Sequence, residues 1–84
     1  MSDITIKILP FGITSEWIDS SNDSFQLPVG STLADVRRHL ISKDERFELL
    51  ASLRFAVGET YRDDAFQLKA GVNEVALIPP VSGG

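Results

Sequence analysis

The chain opens on strict alternation. Ile4, Ile6 and Ile8 fall on one face and Thr5 and Lys7 on the other, the period of a half-buried strand over residues 4–9. Pro10 and Gly12 predict its end. Residues 13–24 (ITSEWIDSSNDS) read as a connection, with Ile13, Trp17 and Ile18 anchoring a short helical turn and Ser20 to Asp23 supplying turn formers. Residues 24–28 (SFQLP) predict a second strand, with Phe25 and Leu27 on one face, paired antiparallel with the first. The period then changes. Leu33, Val36 and Leu40 recur at helical spacing, Thr32 is a suitable N-cap, and Asp35 sits in the positive end of the helix dipole. Arg37, Arg38 and His39 are read as late in this helix, where cations are favoured. A second short helix is expected over residues 44–51 (DERFELLA), burying Phe47, Leu50 and Ala51. Residues 53–57 (LRFAV) predict a third strand, Gly58-Glu59 a tight turn, residues 60–62 (TYR) a short return strand and Asp63-Asp64 a further turn. The last strand is expected over residues 74–78 (EVALI), with Val75 and Leu77 facing one way and Ala76 and Ile78 the other.

Two strands, a helix long enough to cover one sheet face, and two or three further strands predict an α+β domain. The order is that of the ubiquitin-like β-grasp. It implies a mixed four- to five-stranded sheet with one main helix on one face, and the last strand parallel to and beside the first. The expected organisation is a β-grasp domain over residues 1–78 followed by an extended tail over residues 79–84.

Composition narrows the function. At 84 residues the chain makes one small core. A net charge of −4, with no basic cluster beyond Arg37-Arg38, argues against a nucleic-acid partner. There is no cysteine, hence no disulfide, thiolate metal site or persulfide on this chain. The N-terminus lacks the pattern of a signal peptide, and no apolar run approaches the roughly 20 residues of a membrane span, so a cytoplasmic protein with no membrane partner is expected. Catalytic sets are also missing. The single histidine, His39, reads as a surface residue; Asp44-Glu45 and Asp63-Asp64 read as turn or helix-start residues; no phosphate loop, HExxH or GxSxG is present. No metal site and no bound cofactor are expected, and no catalytic group beyond the C-terminus.

The chemistry is concentrated in ALIPPVSGG, residues 76–84. Pro79 and Pro80 cannot donate to a sheet ladder and push the chain into a stiff, extended path. Pro79, Pro80, Val81, Ser82, Gly83 and Gly84 could together reach about 20 Å. Terminal glycines make the thinnest peptide, able to thread a channel where a Cβ would clash. The reactive group is the Gly84 carboxylate, which adenylation by ATP turns into an acyl donor, able to accept sulfur as a thiocarboxylate or to acylate an amine. With Val75 and Leu77 turned to the helix, Phe11, Tyr61 and Ile78 are expected together on the outer surface as a docking patch beside this tail.

IKILPFGI, LPVGSTLADVRRHL and LRFAVGETY…NEVALIPPVSGG resemble the small subunits of molybdopterin synthase in order and spacing over nearly the whole chain, EVALIPPVSGG most specifically. The resemblance implies a sulfur carrier. Gly84 would be adenylated by an enzyme similar to those that charge ubiquitin, with ATP consumed there, and a sulfur-donor enzyme would supply the thiocarboxylate. Residues Pro79 to Gly83 would enter the large subunit, which completes a heterotetramer, and the sulfur would pass to cyclic pyranopterin monophosphate for molybdenum cofactor synthesis. Phe11, Tyr61 and Ile78 match the docking face of that family. The alternatives are a ubiquitin-like sulfur carrier for thiamine or cysteine biosynthesis and a protein modifier that forms isopeptides.

Overall fold

The computed structural model describes residues 3–49 and 52–80. In chain order the elements are β1 (Asp3–Pro10), β2 (Ser24–Pro28), helix α1 (Leu33–Lys43), β3 (Arg54–Val57), β4 (Thr60–Arg62) and β5 (Val72–Ile78), with 3₁₀ turns over Gly12–Glu16 and Glu45–Leu49. The strands form one five-stranded sheet in the order β2-β1-β5-β3-β4. The first hairpin is antiparallel as expected, and β5 lies parallel to β1, which the intervening helix and hairpin make possible. The architecture is the ubiquitin-like β-grasp that the sequence order predicts.

Register decides which side chains share a face. Ile4 opposes Leu27, Ile6 opposes Phe25, Ile8 opposes Val75, and Phe55 opposes Leu77. All point to the side covered by α1, where Leu33, Val36 and Leu40 form the buried helical stripe. The helix begins as the sequence indicates: the Thr32 backbone N–H donates to Asp35 Oδ2 at 2.9 Å. Its length corrects the placement of the cations. Because α1 runs on to Lys43, Arg37, Arg38 and His39 occupy its middle, and Lys43 alone is the basic residue of its last turn.

Those mid-helix residues have other work. His39 is half-buried, not a plain surface residue, and stacks on Phe25 with ring centroids 3.8 Å apart. Burial and, secondarily, the Lys43 charge lower its pKa. Arg37 ties the helix to the sheet: its Nε and Nη2 donate to the two Asp64 carboxylate oxygens at 2.8 Å each, Nη2 also donates to the Leu53 carbonyl at 3.0 Å, and its guanidinium lies 4.6 Å from the Phe55 ring centroid. Asp64 is thus an ion-pair partner as well as a turn residue.

This pair carries a pH dependence. Hydrogen bonds from Arg37 hold the Asp64 carboxyl below its ordinary value. A carboxylate with a depressed folded pKa contributes stability above its unfolded value, near 4, and loses it as pH falls through the folded one. The Asp64 side chain is 45% exposed, so solvent screening limits the expected contribution to less than about 1 kcal/mol. Asp64→Asn is expected to lower the urea midpoint at pH 7 and to approach the parent below pH 3. A gap of equal size at both pH values would show that charge contributes nothing there.

Three local details depart from the sequence expectation. The short 3₁₀ turn after β1 points Thr14 inward, where its hydroxyl donates to the Phe11 carbonyl at 2.6 Å and accepts from the Phe11 N–H at 3.0 Å, and Ile13 is left exposed. Trp17, edge-on to Phe47 at 5.1 Å, and the buried Ile18 anchor the turn as expected. The second helix is a 3₁₀ turn with Phe47 buried as expected; Leu50 and Ala51, expected with it, lie outside the described residues. Finally β5 starts two residues before the expected Glu74, at Val72. Asn73 is buried there because its side-chain amide donates to the Lys69 carbonyl at 2.8 Å and accepts from the Lys69 N–H at 3.2 Å, which satisfies a polar group inside an otherwise apolar face.

Candidate functional site

Among the described residues no helix covers the sheet face opposite α1, and the composition of that face changes along the strands. Toward the start of β5 the outward residues are Thr5, Lys7 and Glu74; toward the tail they are Leu9, Ala76, Ala56, Tyr61 and Ile78. Ala56 and Ala76 are register partners. Two methyl groups side by side make a low floor. Leu9, Phe11, Tyr61 and Ile78 rise around it, and the result is an open cleft of about 490 Å³.

The structure therefore brings together the three residues expected to form an outer patch. Phe11 and Tyr61 are 52% and 59% exposed, values high for aromatic side chains, and Ile78 is half-buried between the cleft and the tail. Ala76 faces outward with Ile78 as the alternation of the last strand predicts, whereas sequence reasoning missed Leu9 and Ala56 as parts of this surface, together with Glu59 and Glu74 at its rim. The missing signal was the β3–β5 register, which alone sets the alanines opposite one another.

The turn between β3 and β4 shapes the rim. Val57 pairs with Thr60, leaving a two-residue loop of Gly58 and Glu59 with φ of 60° and 65°. Such a loop matches the twist of a hairpin but needs left-handed backbone at both positions. Gly58 adopts it freely; at Glu59 it costs on the order of 1 kcal/mol or more.

At its tail end the cleft continues into the base of the C-terminal extension. Tyr61 and Ile78 also line a second surface depression with Arg54, Pro79 and Pro80. Pro79 is half-buried and Pro80 exposed. Gly12, at φ +58°, supports the first proline: a Cβ built there would lie 2.9 Å from Pro79 Cγ, so only a glycine lets the β1 exit loop close on the end of β5. The outer face and the departure point of the tail are thus one continuous surface. Val81, Ser82, Gly83 and Gly84 lie outside the described residues.

Among the described residues, no group of three or more His, Cys, Asp and Glu side chains is placed to hold a metal. Among the same residues, no helix is long and apolar enough to cross a membrane. What the geometry offers is an apolar surface that reaches Pro79 and Pro80.

Comparisons with known proteins bear on the family and the fold. Residues 8–84 match the model of the ThiS family. The molybdopterin synthase sulfur carrier subunit of Drosophila melanogaster is 30% identical over 84 residues, covering 96% of this chain and 92% of the relative. The Pyrococcus furiosus protein described as molybdopterin converting factor subunit 1 superposes with a TM-score of 0.74 at 22% identity, covering 93% of this chain and 99% of that one. The small archaeal modifier protein 1 of Haloferax volcanii superposes with a TM-score of 0.68 at 17% identity, covering 93% and 99%. The structural likenesses establish a shared fold, and the sequence matches go further.

Proposed function

The chain belongs to the ThiS family, and on that footing we propose that it is the sulfur-carrier subunit of a molybdopterin synthase. The observation that carries the proposal is the continuity of the outer-face cleft with the base of the Pro79-Pro80 extension, in a chain whose relatives across its length are named as such carriers. A carrier needs a surface that a partner can grip and an arm that the partner's active site can accept.

The chemistry falls to Gly84. Its carboxylate oxygen attacks the α-phosphorus of ATP on an activating enzyme, and pyrophosphate leaves. A sulfur donor then displaces AMP from the acyl adenylate, leaving the thiocarboxylate. Docked through Phe11, Tyr61 and Ile78, the carrier extends Pro79 through Gly83 into the large subunit, where the terminal sulfur passes to cyclic pyranopterin monophosphate. Hydrolysis of the acyl bond left behind returns the carboxylate. The fold supplies docking and reach; the catalytic groups belong to the partners.

Reconstitution tests the proposal. The Gly84 thiocarboxylate form, confirmed by intact mass, is mixed with a competent molybdopterin synthase large subunit and cyclic pyranopterin monophosphate. Molybdopterin is the expected product. With both components shown to be sound, absence of product would move the assignment to a carrier for thiamine or cysteine biosynthesis. Conjugates to lysine in its place would mark a protein modifier.

A further inference from the structure

The rim of the outer-face cleft carries charge that the fold does not use. Lys7 and Glu74 are register partners on adjacent parallel strands and both point outward. A cross-strand ion pair is the expected outcome of that arrangement. Instead Lys7 Nζ donates to Asp23 Oδ2 at 2.8 Å, on the far side of β1. The ion pairs among the described residues are Lys7–Asp23, Arg37–Asp64, Arg38–Asp35 and Arg46–Asp44, so Glu74 and Glu59 have no cationic partner there. Both are exposed, and both line the cleft that holds Phe11, Tyr61 and Ile78.

Glu59 is held there at a conformational cost. It is the one non-glycine residue with positive φ among the described residues, in a loop position that glycine or asparagine would fill without strain. A strained position at the rim of a cleft points to a role for its side chain. The adjoining depression, which shares Tyr61 and Ile78 with the cleft, carries the other sign: Arg54, cross-strand from Ile78, lines it with its guanidinium 5.1 Å from the Tyr61 ring centroid.

We infer that this cleft is a socket for a partner segment of defined chemistry: one large apolar side chain seated on the Ala56–Ala76 floor, flanked by basic side chains that pair with Glu59 and Glu74. The inference rests on the carrier reading and names the surface that the large subunit presents. Apolar burial alone would desolvate two carboxylates with nothing to replace their water, which opposes binding; basic residues on the partner remove that opposition and steer the encounter. The charge polarity from the two glutamates to Arg54 also fixes direction. It permits one orientation along β5, in which the Pro79-Pro80 extension leaves toward the same side of the partner in every encounter.

The test is stopped-flow association with the large subunit across a range of salt, using the parent, Glu59→Gly with Glu74→Gln, and Ala76→Leu. The parent rate is expected to fall as salt rises. The double variant is expected to associate about tenfold more slowly at low salt, with a flattened salt dependence and convergence on the parent at high salt. Its melting temperature is expected to equal or exceed the parent's, because glycine relieves the strain at position 59, so slower association cannot be blamed on a damaged fold. Ala76→Leu fills the socket floor and is expected to accelerate dissociation at every salt concentration. A parent rate indifferent to salt, a double variant indistinguishable from the parent, or a filled socket that dissociates no faster would each overturn the inference while leaving the carrier reading intact. Failure of the parent to bind the large subunit at all would overturn the carrier reading. A chain that dimerises through this face on its own would assign the socket to a second copy.

Discussion

Removal of Gly84 is expected to abolish thiocarboxylate formation while leaving the melting temperature unchanged. The shortened chain still ends in glycine and still carries a carboxylate, so no reactive group is lost. What changes is reach. One residue of extended chain spans about 3.5 Å, and a displacement of about 1 Å from a reacting position already costs on the order of a hundredfold in rate. Activation by the adenylating enzyme, followed as ATP–pyrophosphate exchange, should therefore fall by at least about a thousandfold on the same argument. The fold is expected to be indifferent to the change. The buried cluster takes its last residue at Leu77, and the contact of Pro79 against Gly12 lies five residues before the deleted position. A drop of several degrees in melting temperature would assign the end of the chain a packing role. Retention of exchange activity would show that the activating enzyme accepts the Gly83 carboxylate as well, and that reach does not set the rate.

The parts of this molecule that could be read from its sequence are those governed by a single period. Ile4, Ile6 and Ile8 alternate, so the face they bury is legible without a partner strand. Leu33, Val36 and Leu40 state the helical stripe as clearly, and Gly58-Glu59 between two short apolar runs announces the hairpin. The parts that could not be read depend on two segments at once. Nothing local distinguishes Arg37, which binds Asp64 across 27 positions, from Arg38, which pairs with Asp35 on its own helix. Asn73 reads as a loop residue because its burial is justified only by its bonds to Lys69. The cleft divides in the same way. Phe11, Tyr61 and Ile78 could be anticipated from the outward phase of their own segments. The outward turn of Ala76 could be read likewise, but not its meeting with Ala56 to make a floor, since register alone sets the two side by side. The C-terminal segment is the reverse case: Pro79-Pro80 and Gly83-Gly84 are legible as composition, because the function proposed for them lies in what they lack.

Ile78→Asp separates the apolar part of docking from the electrostatic part. Ile78 lies where the cleft meets the tail base, so a partner that grips the cleft and accepts the extension must cover it. Burial of a side chain of this kind is worth about 1.5–3 kcal/mol, and a charge trapped in its place adds a desolvation cost of its own. At 1.4 kcal/mol per tenfold, affinity for the large subunit should fall by at least about a hundredfold. The free domain should tolerate the change. The position is on the sheet face away from the helix, and Arg54 stands directly across the strand pair, where its guanidinium can take a new carboxylate as an exposed cross-strand partner. Loss of binding with the melting temperature held is therefore the expected pair of results. The salt dependence carries the decision. Steering by Glu59 and Glu74 acts through the association rate and fades with screening, whereas a carboxylate buried without a partner raises the dissociation rate and is screened far less. If titration calorimetry finds the variant within threefold of the parent at both low and high salt, the partner does not cover Ile78, and the docking surface ends short of the tail.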